Sequence, residues 1–298
     1  MAVVNTNISA SLAQASLAKN ERALSKAMEQ LSTGKKINTA ADDAAGLAIS
    51  SRMTSQIVGL EQSVQNAHDA ISMIQTAESA LDEMTNMLLR MRELALQASN
   101  GTGSVADRNY LQDEFGRLKA EIDRIANNTE WNGRPVLNGN AGGSAVTDVS
   151  YQVGGNAGQT ISVNFGNMTG GGLATGASGI AAGTNSGSRA LADIAISGAT
   201  TAVAQTNASA AMTGIDNAIE NVSNQRASFG AAVNQLTHAI DNLTQVSINA
   251  ASTRSRIMDT DYAHATSELA KTQIIQQAGT AMLAQANQLP ACVLDLLG

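Results

Sequence analysis

A single cysteine, Cys292, among 298 residues rules out an internal disulfide, so stability must come from packing or from assembly. Aromatic side chains are almost missing: one Trp, three Tyr and three Phe make up 2% of a chain that is 43% hydrophobic. Its apolar content is largely Ala, Leu, Ile, Val and Met. Most of these form helices well and are small enough to let backbones approach, which excludes a bulky globular core and favours a thin, long helical one. Positive charge is scarce too. Eighteen Lys and Arg against 25 Asp and Glu give a formal net charge of −7, leaving no electrostatic reason to bind nucleic acid or an anionic membrane. No run of about 18 apolar residues exists, so no membrane insertion is expected. The opening MAVVNTNISASLAQASLAKN has neither a basic leader nor a continuous apolar segment. On that ground alone the expected compartment is the cytoplasm.

What the chain does have is a seam. Leu60, Val64, Ala67, Ile71, Ile74, Leu81, Met84, Leu88, Met91, Ala95 and Ala98 recur at gaps of three and four, interrupted where Glu78 takes a seam position. A spacing near 3.5 residues keeps these side chains on one narrow stripe, and such a helix is stable only against another stripe of its kind. Ile215, Ile219, Val222, Phe229, Val233, Leu236, Ile240, Leu243, Ala250 and Ile257 supply it, with Arg226, Ser247 and Arg254 at the weak positions.

In chain order, the pattern from Ile8 to Leu31 is weakly amphipathic, with Leu17, Leu24 and Leu31 one heptad apart. Thr33-Gly34 ends it, and Asn38 to Asp43 reads as a loop whose Asp42 and Asp43 precede a new helix N-terminus, where negative charge is favoured. An unbroken helix from about Ala44 to Ser99 would be on the order of 80 Å long. Asn100-Gly101-Thr102-Gly103 breaks it, and Leu111, Phe115, Leu118, Ile122 and Ile125 mark an antiparallel successor. Thr129 to Pro135 has turn chemistry. Val149, Tyr151, Val153 and Ile161, Val163, Phe165 alternate with polar residues around a Gly-rich turn, as in a β-hairpin. From Gly166 to about Ala210 the chain is rich in Gly, Ser, Thr and Ala, with Leu191, Ile194 and Ile196 its main sizeable apolar residues, and a small, poorly cored insert is expected. The second long helix is expected from about Met212 to Ser255. In the last one Ile275, Ala278, Met282, Leu289, Val293 and Leu296 continue the heptad, and Pro290 is placed to bend or end it.

The fold class expected is therefore mainly α: long antiparallel coiled-coil helices from both chain ends, a small β-hairpin region and a short Gly-rich variable insert. Terminal helices of this kind are marginal alone. Residues 1–31 and 262–298 should become ordered as they pack on each other and on neighbouring copies, removing apolar surface from water at about 25 cal/mol per Å². Heterologous contacts that do not close build an open helical filament.

No constellation for catalysis is present. His68, His238 and His264 stand isolated on helical segments, Gly34-Lys35-Lys36 lacks the spacing of a phosphate loop, and Asp113-Glu114 and Asp259 with Asp261 read as solvated faces and caps. Neither enzyme activity nor a cofactor is indicated. The sequons at Asn167 and Asn242 are short enough to arise by chance, and the second lies on a seam.

The run from Leu31 to Ile49, LSTGKKINTAADDAAGLAI, resembles the N-terminal signature of bacterial flagellin, as does Val4-Asn5-Thr6-Asn7. The tail does so too, in Ser255-Arg256-Ile257, Asp261-Tyr262, Gln276-Gln277-Ala278-Gly279-Thr280 and Leu283 to Gln288. The similarity covers roughly residues 1 to 138 and 212 to 298. It departs after Pro290, where Ala291-Cys292 stands in place of the usual Gln or Asn; the lone thiol is read first as inert core, with an occasional crosslink as the alternative. The resemblance implies an extracellular filament subunit, exported through the flagellar type III apparatus rather than by a cleaved signal, which reverses the cytoplasmic expectation.

It also implies three regions: a terminal helical domain of residues 1–44 and 256–298 forming the inner tube, a long-helix bundle of 45–138 and 212–255, and a β-hairpin with a short variable insert over 139–211. Assembly would run through Leu17, Leu24, Leu31, Ile275, Met282, Leu289, Val293 and Leu296. Implied partners are other copies of the chain, a flagellar secretion chaperone, the filament cap and the hook-filament junction proteins. Flagellins of many bacteria are sensed by a host Toll-like receptor through the first long helix and the one after it. The similarity extends to Leu88, Arg90, Leu94 and Glu114, with Arg90 as a charge-assisted donor and Leu94 filling a hydrophobic pocket. Two rivals share the physics or the terminal plan. A chemoreceptor signalling hairpin should have basic flanks, membrane spans or an unbroken hairpin, and a junction protein would stop at a ring.

Overall fold

The computed structural model describes residues 7–143, 146–173 and 194–295, so Leu191 and Leu296 lie outside the described residues. Among the described residues there are five helices: α1 (Ile8–Thr33), α2 (Ala44–Ser99), α3 (Val105–Asn128), α4 (Thr201–Met258) and α5 (Tyr262–Asp295). Between α3 and α4 lie two antiparallel hairpins, β1 (Glu130–Trp131) with β2 (Arg134–Pro135), and β3 (Asp148–Gln152) with β4 (Thr160–Asn164). The architecture is mainly α, and it divides into two compact units, Met1–Val58 with Ser247–Gly298, and Gly59–Val246.

In the first unit α1 and α5 pair antiparallel. The Asn7 side chain caps α1 by accepting from the Ala10 N–H at 3.0 Å and donates to the Ala286 carbonyl at 2.8 Å. At its far end α1 stops on Gly34, whose φ of 70° is the left-handed conformation that ends helices most readily in glycine. The Gly34 carbonyl then accepts from Thr260 N–H at 3.0 Å, and Lys36 N–H donates to Met258 at 2.6 Å, tying this turn to the one between α4 and α5. Asp43 caps α2 by accepting from Gly46 N–H at 2.9 Å, as its place before a helix predicts.

Burial along α1 and α5 is thin: Ala10, Ala27, Ala265 and Ala286 are closed, and so are the polar Asn20 and Thr272. The ends thus find partners in each other within a single chain, by small residues and a polar pair rather than by a leucine seam alone. Leu17, Leu24 and Leu31 are half-buried. Helix α5 runs on through Pro290 to Asp295, so proline does not end it.

The second unit holds the main core. Leu81, Met84, Leu88, Met91, Ala95 and Ala98 of α2 are buried with Phe115 and Ile122 of α3 and Ile215, Val222, Phe229 and Leu236 of α4. The two long seams share one core, as their spacing predicts. The interruption falls differently from the heptad reading, because Ala77 is buried where Glu78 was expected to interrupt, and Ala70 and Met73 are buried beside it. Helix α2 is covered over more than one stripe, which widens the face beyond a coiled-coil seam. On α4 the polar seam residue is Gln225, donating to the Asn164 carbonyl at 2.7 Å, and Arg226 instead reaches Asp82 at 3.2 Å.

Two differences concern the insert. Helix α4 begins at Thr201, ahead of the expected Met212, because Ala204, Ala208 and Ala211 are buried on it and alanine is the strongest helix former. Leu173, Ile194 and Ile196 are buried in the same core, and Ile196 N–H donates to Gln112 at 2.7 Å, so these parts of the insert are cored. The turn chemistry after α3 resolves into a hairpin whose Asn132 and Gly133 both take positive φ, 51° and 74°, as a two-residue turn between twisted strands requires. The longer hairpin pairs Val149 with Val163 and Tyr151 with Ile161, and Phe165 beyond it stacks tilted on Phe229 at 5.3 Å.

Candidate functional site

In the terminal pair the apolar residues that α1 and α5 do not bury against each other remain uncovered. Leu12 is 68% exposed and Met282 69%, with Ile8, Met28, Ile274 and Ile275 also exposed. Between the helices lies a groove of about 500 Å³ lined by Leu12, Ala13, Leu17, Ile275, Ala278, Gly279, Met282 and Ala286, with Ser9 and Ser16 as its hydroxyls. A face of this composition on a helix pair is unfavourable in water and calls for cover. Of the expected assembly residues, Leu17, Ile275 and Met282 come together in this groove. Leu24 and Leu31 lie half-buried along α1, and Leu289 and Val293 fall on the last turns of α5.

Sequence reasoning missed the polar pair beneath this face. Asn20 donates across the pair to the Thr272 carbonyl at 2.8 Å and to the Gln276 side chain at 3.1 Å. Its place on the stripe of Ala13, Leu17, Leu24 and Ala27 was the available signal, since a buried Asn in a helix pair fixes register.

Charge is held by a few defined contacts. Lys26 bonds Asp42 at 2.7 Å, and this contact, with donors from Thr39 and Asn38, holds the Asp42 carboxyl far below the usual carboxylate range. On the second unit Arg90 lies exposed between Glu93, at 2.5 Å, and Glu114 of α3, at 2.9 Å, and Arg92 bonds Asp216 of α4 at 2.6 Å. The hydrogen bonds these arginines donate to the carboxylates, Glu93 first for Arg90, raise both guanidinium pKa values. Leu88 and Leu94 are placed otherwise: both are closed in the core, Leu94 at 1% exposure. Neither is free to fill a receptor pocket from this surface, whereas Leu89 and Leu96 on the same helix are exposed.

Among the described residues no cluster of His, Cys, Asp and Glu could hold a metal, and His68, His238 and His264 are each exposed. Burial pushes the Tyr151 hydroxyl up to about 12 against the opposing charge of Arg134, and it donates to the Met73 sulfur at 2.9 Å, a packing contact.

The model of the bacterial flagellin N-terminal helical region matches residues 4–141, and that of the C-terminal helical region matches 212–297. The chain belongs to the flagellin family. Flagellin of Bacillus subtilis (strain 168) is 44% identical, with 99% of each chain covered, and flagellin of Halalkalibacterium halodurans is 42% identical over 99% of each. A solved structure of a Vibrio parahaemolyticus protein described as hook-associated matches 73% of this chain and 100% of its own with a TM-score of 0.57; at 16% identity that likeness speaks for the fold alone. Flagellins are the structural protein of the flagellar filament and not enzymes, so this chain is an extracellular filament subunit.

Proposed function

We propose that the α1–α5 pair is the part of this flagellin through which subunits join, its uncovered apolar face being closed by neighbouring copies. The exposure of Leu12, Ile274 and Met282 on a pair already locked internally by Asn20 is the observation that carries this reading. Leu17, Leu24, Leu31 and Ile275 contribute from the same pair, and Leu289, Val293 and Leu296 continue its heptad. Membership of the family supports export through the flagellar type III apparatus and encounters with a secretion chaperone, the filament cap and the hook-filament junction proteins. The test is seeded elongation. Leu12→Glu places a charge on the exposed face without entering the core, so the helical circular dichroism of the monomer should persist while elongation on seeds stops. Elongation at the wild-type rate would refute the assignment.

A second surface serves recognition. Arg90 and Glu114, exposed and bonded to each other between α2 and α3, form the face that a flagellin-sensing Toll-like receptor would engage in the monomer. Arg90 has further donors to offer a receptor carboxylate or carbonyl. Leu88 and Leu94 support this face from beneath, so their part is to hold Arg90 and Glu114 in place. In a receptor-reporter assay Arg90→Ala and Glu114→Ala should each lower signalling at unchanged thermal stability; undiminished signalling by both would remove this reading.

A further inference from the structure

The chain has eleven methionines, and they divide sharply by exposure. Met73, Met84, Met91 and Met168 are closed in the core, and four more are half-buried. Among the described residues only Met28, at 56%, and Met282, at 69%, are exposed, and both lie on the terminal pair. Met282 also lines the apolar groove, opposite Leu12 and beside Ile275 and Gly279. A thioether reacts with peroxide in proportion to its access, and the product is a polar, chiral sulfoxide where an apolar chain stood.

We propose that Met282 is an oxidation site that gates entry of the subunit into the filament. The proposal rests on the assembly reading above. The sulfur lone pair attacks one peroxide oxygen, the O–O bond breaks, an S–O bond forms, and hydrogen peroxide leaves as water; sulfur is oxidised by two electrons and the peroxide reduced by two. The sulfoxide oxygen must then be covered when the next copy closes the groove, whose wall offers only the Ser9 and Ser16 hydroxyls among apolar neighbours. Burying such a group against apolar surface should raise the critical concentration for elongation by about tenfold or more. The gate acts on free subunits only, because a copy already in place has its Met282 covered.

The experiment treats full-length monomer with hydrogen peroxide to partial conversion, maps sulfoxides by peptide mass spectrometry, and elongates the mixture on seeds. Sulfoxide at Met282 should be depleted in the pelleted filament and enriched in the supernatant, and Met282→Leu should elongate equally well with and without peroxide. An even distribution of Met282 sulfoxide between pellet and supernatant would overturn the proposal while leaving the assembly reading intact, as would a Met282→Leu protein that peroxide stops as fully as wild type. Should Met282→Leu fail to elongate untreated, the pellet-to-supernatant ratio in wild type decides alone. Failure of untreated wild type to elongate on seeds would sink the assembly reading and this proposal together.

Discussion

Leu94 and Arg90 stand four residues apart on α2 and do different work. Leu94 is closed into the core, so Leu94→Ala opens a cavity and should cost about 2–5 kcal/mol in urea unfolding. Arg90 makes its ion pairs in water, where such contacts add little, so Arg90→Ala should leave the unfolding midpoint within experimental scatter. A signalling loss in Leu94→Ala therefore reports damaged support, whereas one in Arg90→Ala reports a lost contact. Asp42 offers a residue-scale test by pH. Lys26, with Thr39 and Asn38, depresses its carboxyl below the ordinary 3.8, so the folded chain binds fewer protons there than the unfolded one. Its contribution is whole above the ordinary value and is lost as pH falls through the depressed one. The Tm gap between wild type and Asp42→Asn should thus be widest near about pH 6 and narrower near about pH 3. A gap independent of pH would contradict it.

Helix α2 ends at Ser99 without a basic residue in its own last turn. Arg108, from the first turns of α3, fills that role: buried at 1% exposure, it donates to the Ala98 carbonyl at 2.9 Å and the Asn100 carbonyl at 2.7 Å. A cation on the exposed carbonyls of a helix C-terminus satisfies both hydrogen bonding and the dipole. Removing it as Arg108→Ala should cost about 3 kcal/mol, measured by denaturant unfolding, and should speed exchange of amides near Ser99 first. Nothing in the local spacing announces this contact, because it joins two helices across a turn. What depended on periodicity was legible: α2 from Ala44 to Ser99, its antiparallel successor, the hairpin and both seams all follow from spacing and punctuation. What depended on alanine was not. The run TAVAQTNASAA at the start of α4 is polar enough to read as insert, yet Ala204, Ala208 and Ala211 lie on one face and are buried there. Small side chains bury without giving a strong hydropathy signal. The surface proposed for recognition divides similarly, since periodicity alone already puts Leu88 on the seam, while the exposure of Arg90 and its bond to Glu114 require the packed helices.

Across the whole molecule, on the assembly reading proposed above, the residues that make it a subunit are apolar ones on α1 and α5 that its own fold leaves uncovered. A variant lacking residues 1–30 and 259–298 should keep the core built on Leu81, Phe115 and Phe229 yet form no fibres on seeds, as judged by electron microscopy. The clasp between Asn20 and Thr272 has a further effect at this scale. Alanine faces alone would let the two extremities slide by one helical turn, about 5.4 Å, at little penalty. With the amide seated on one carbonyl, molecules that join as proposed would show their neighbours the same landmarks at the same height, and a growing tube would repeat its step without accumulating error. Replacing Asn20 by leucine would then yield tighter pairs but uneven tubes.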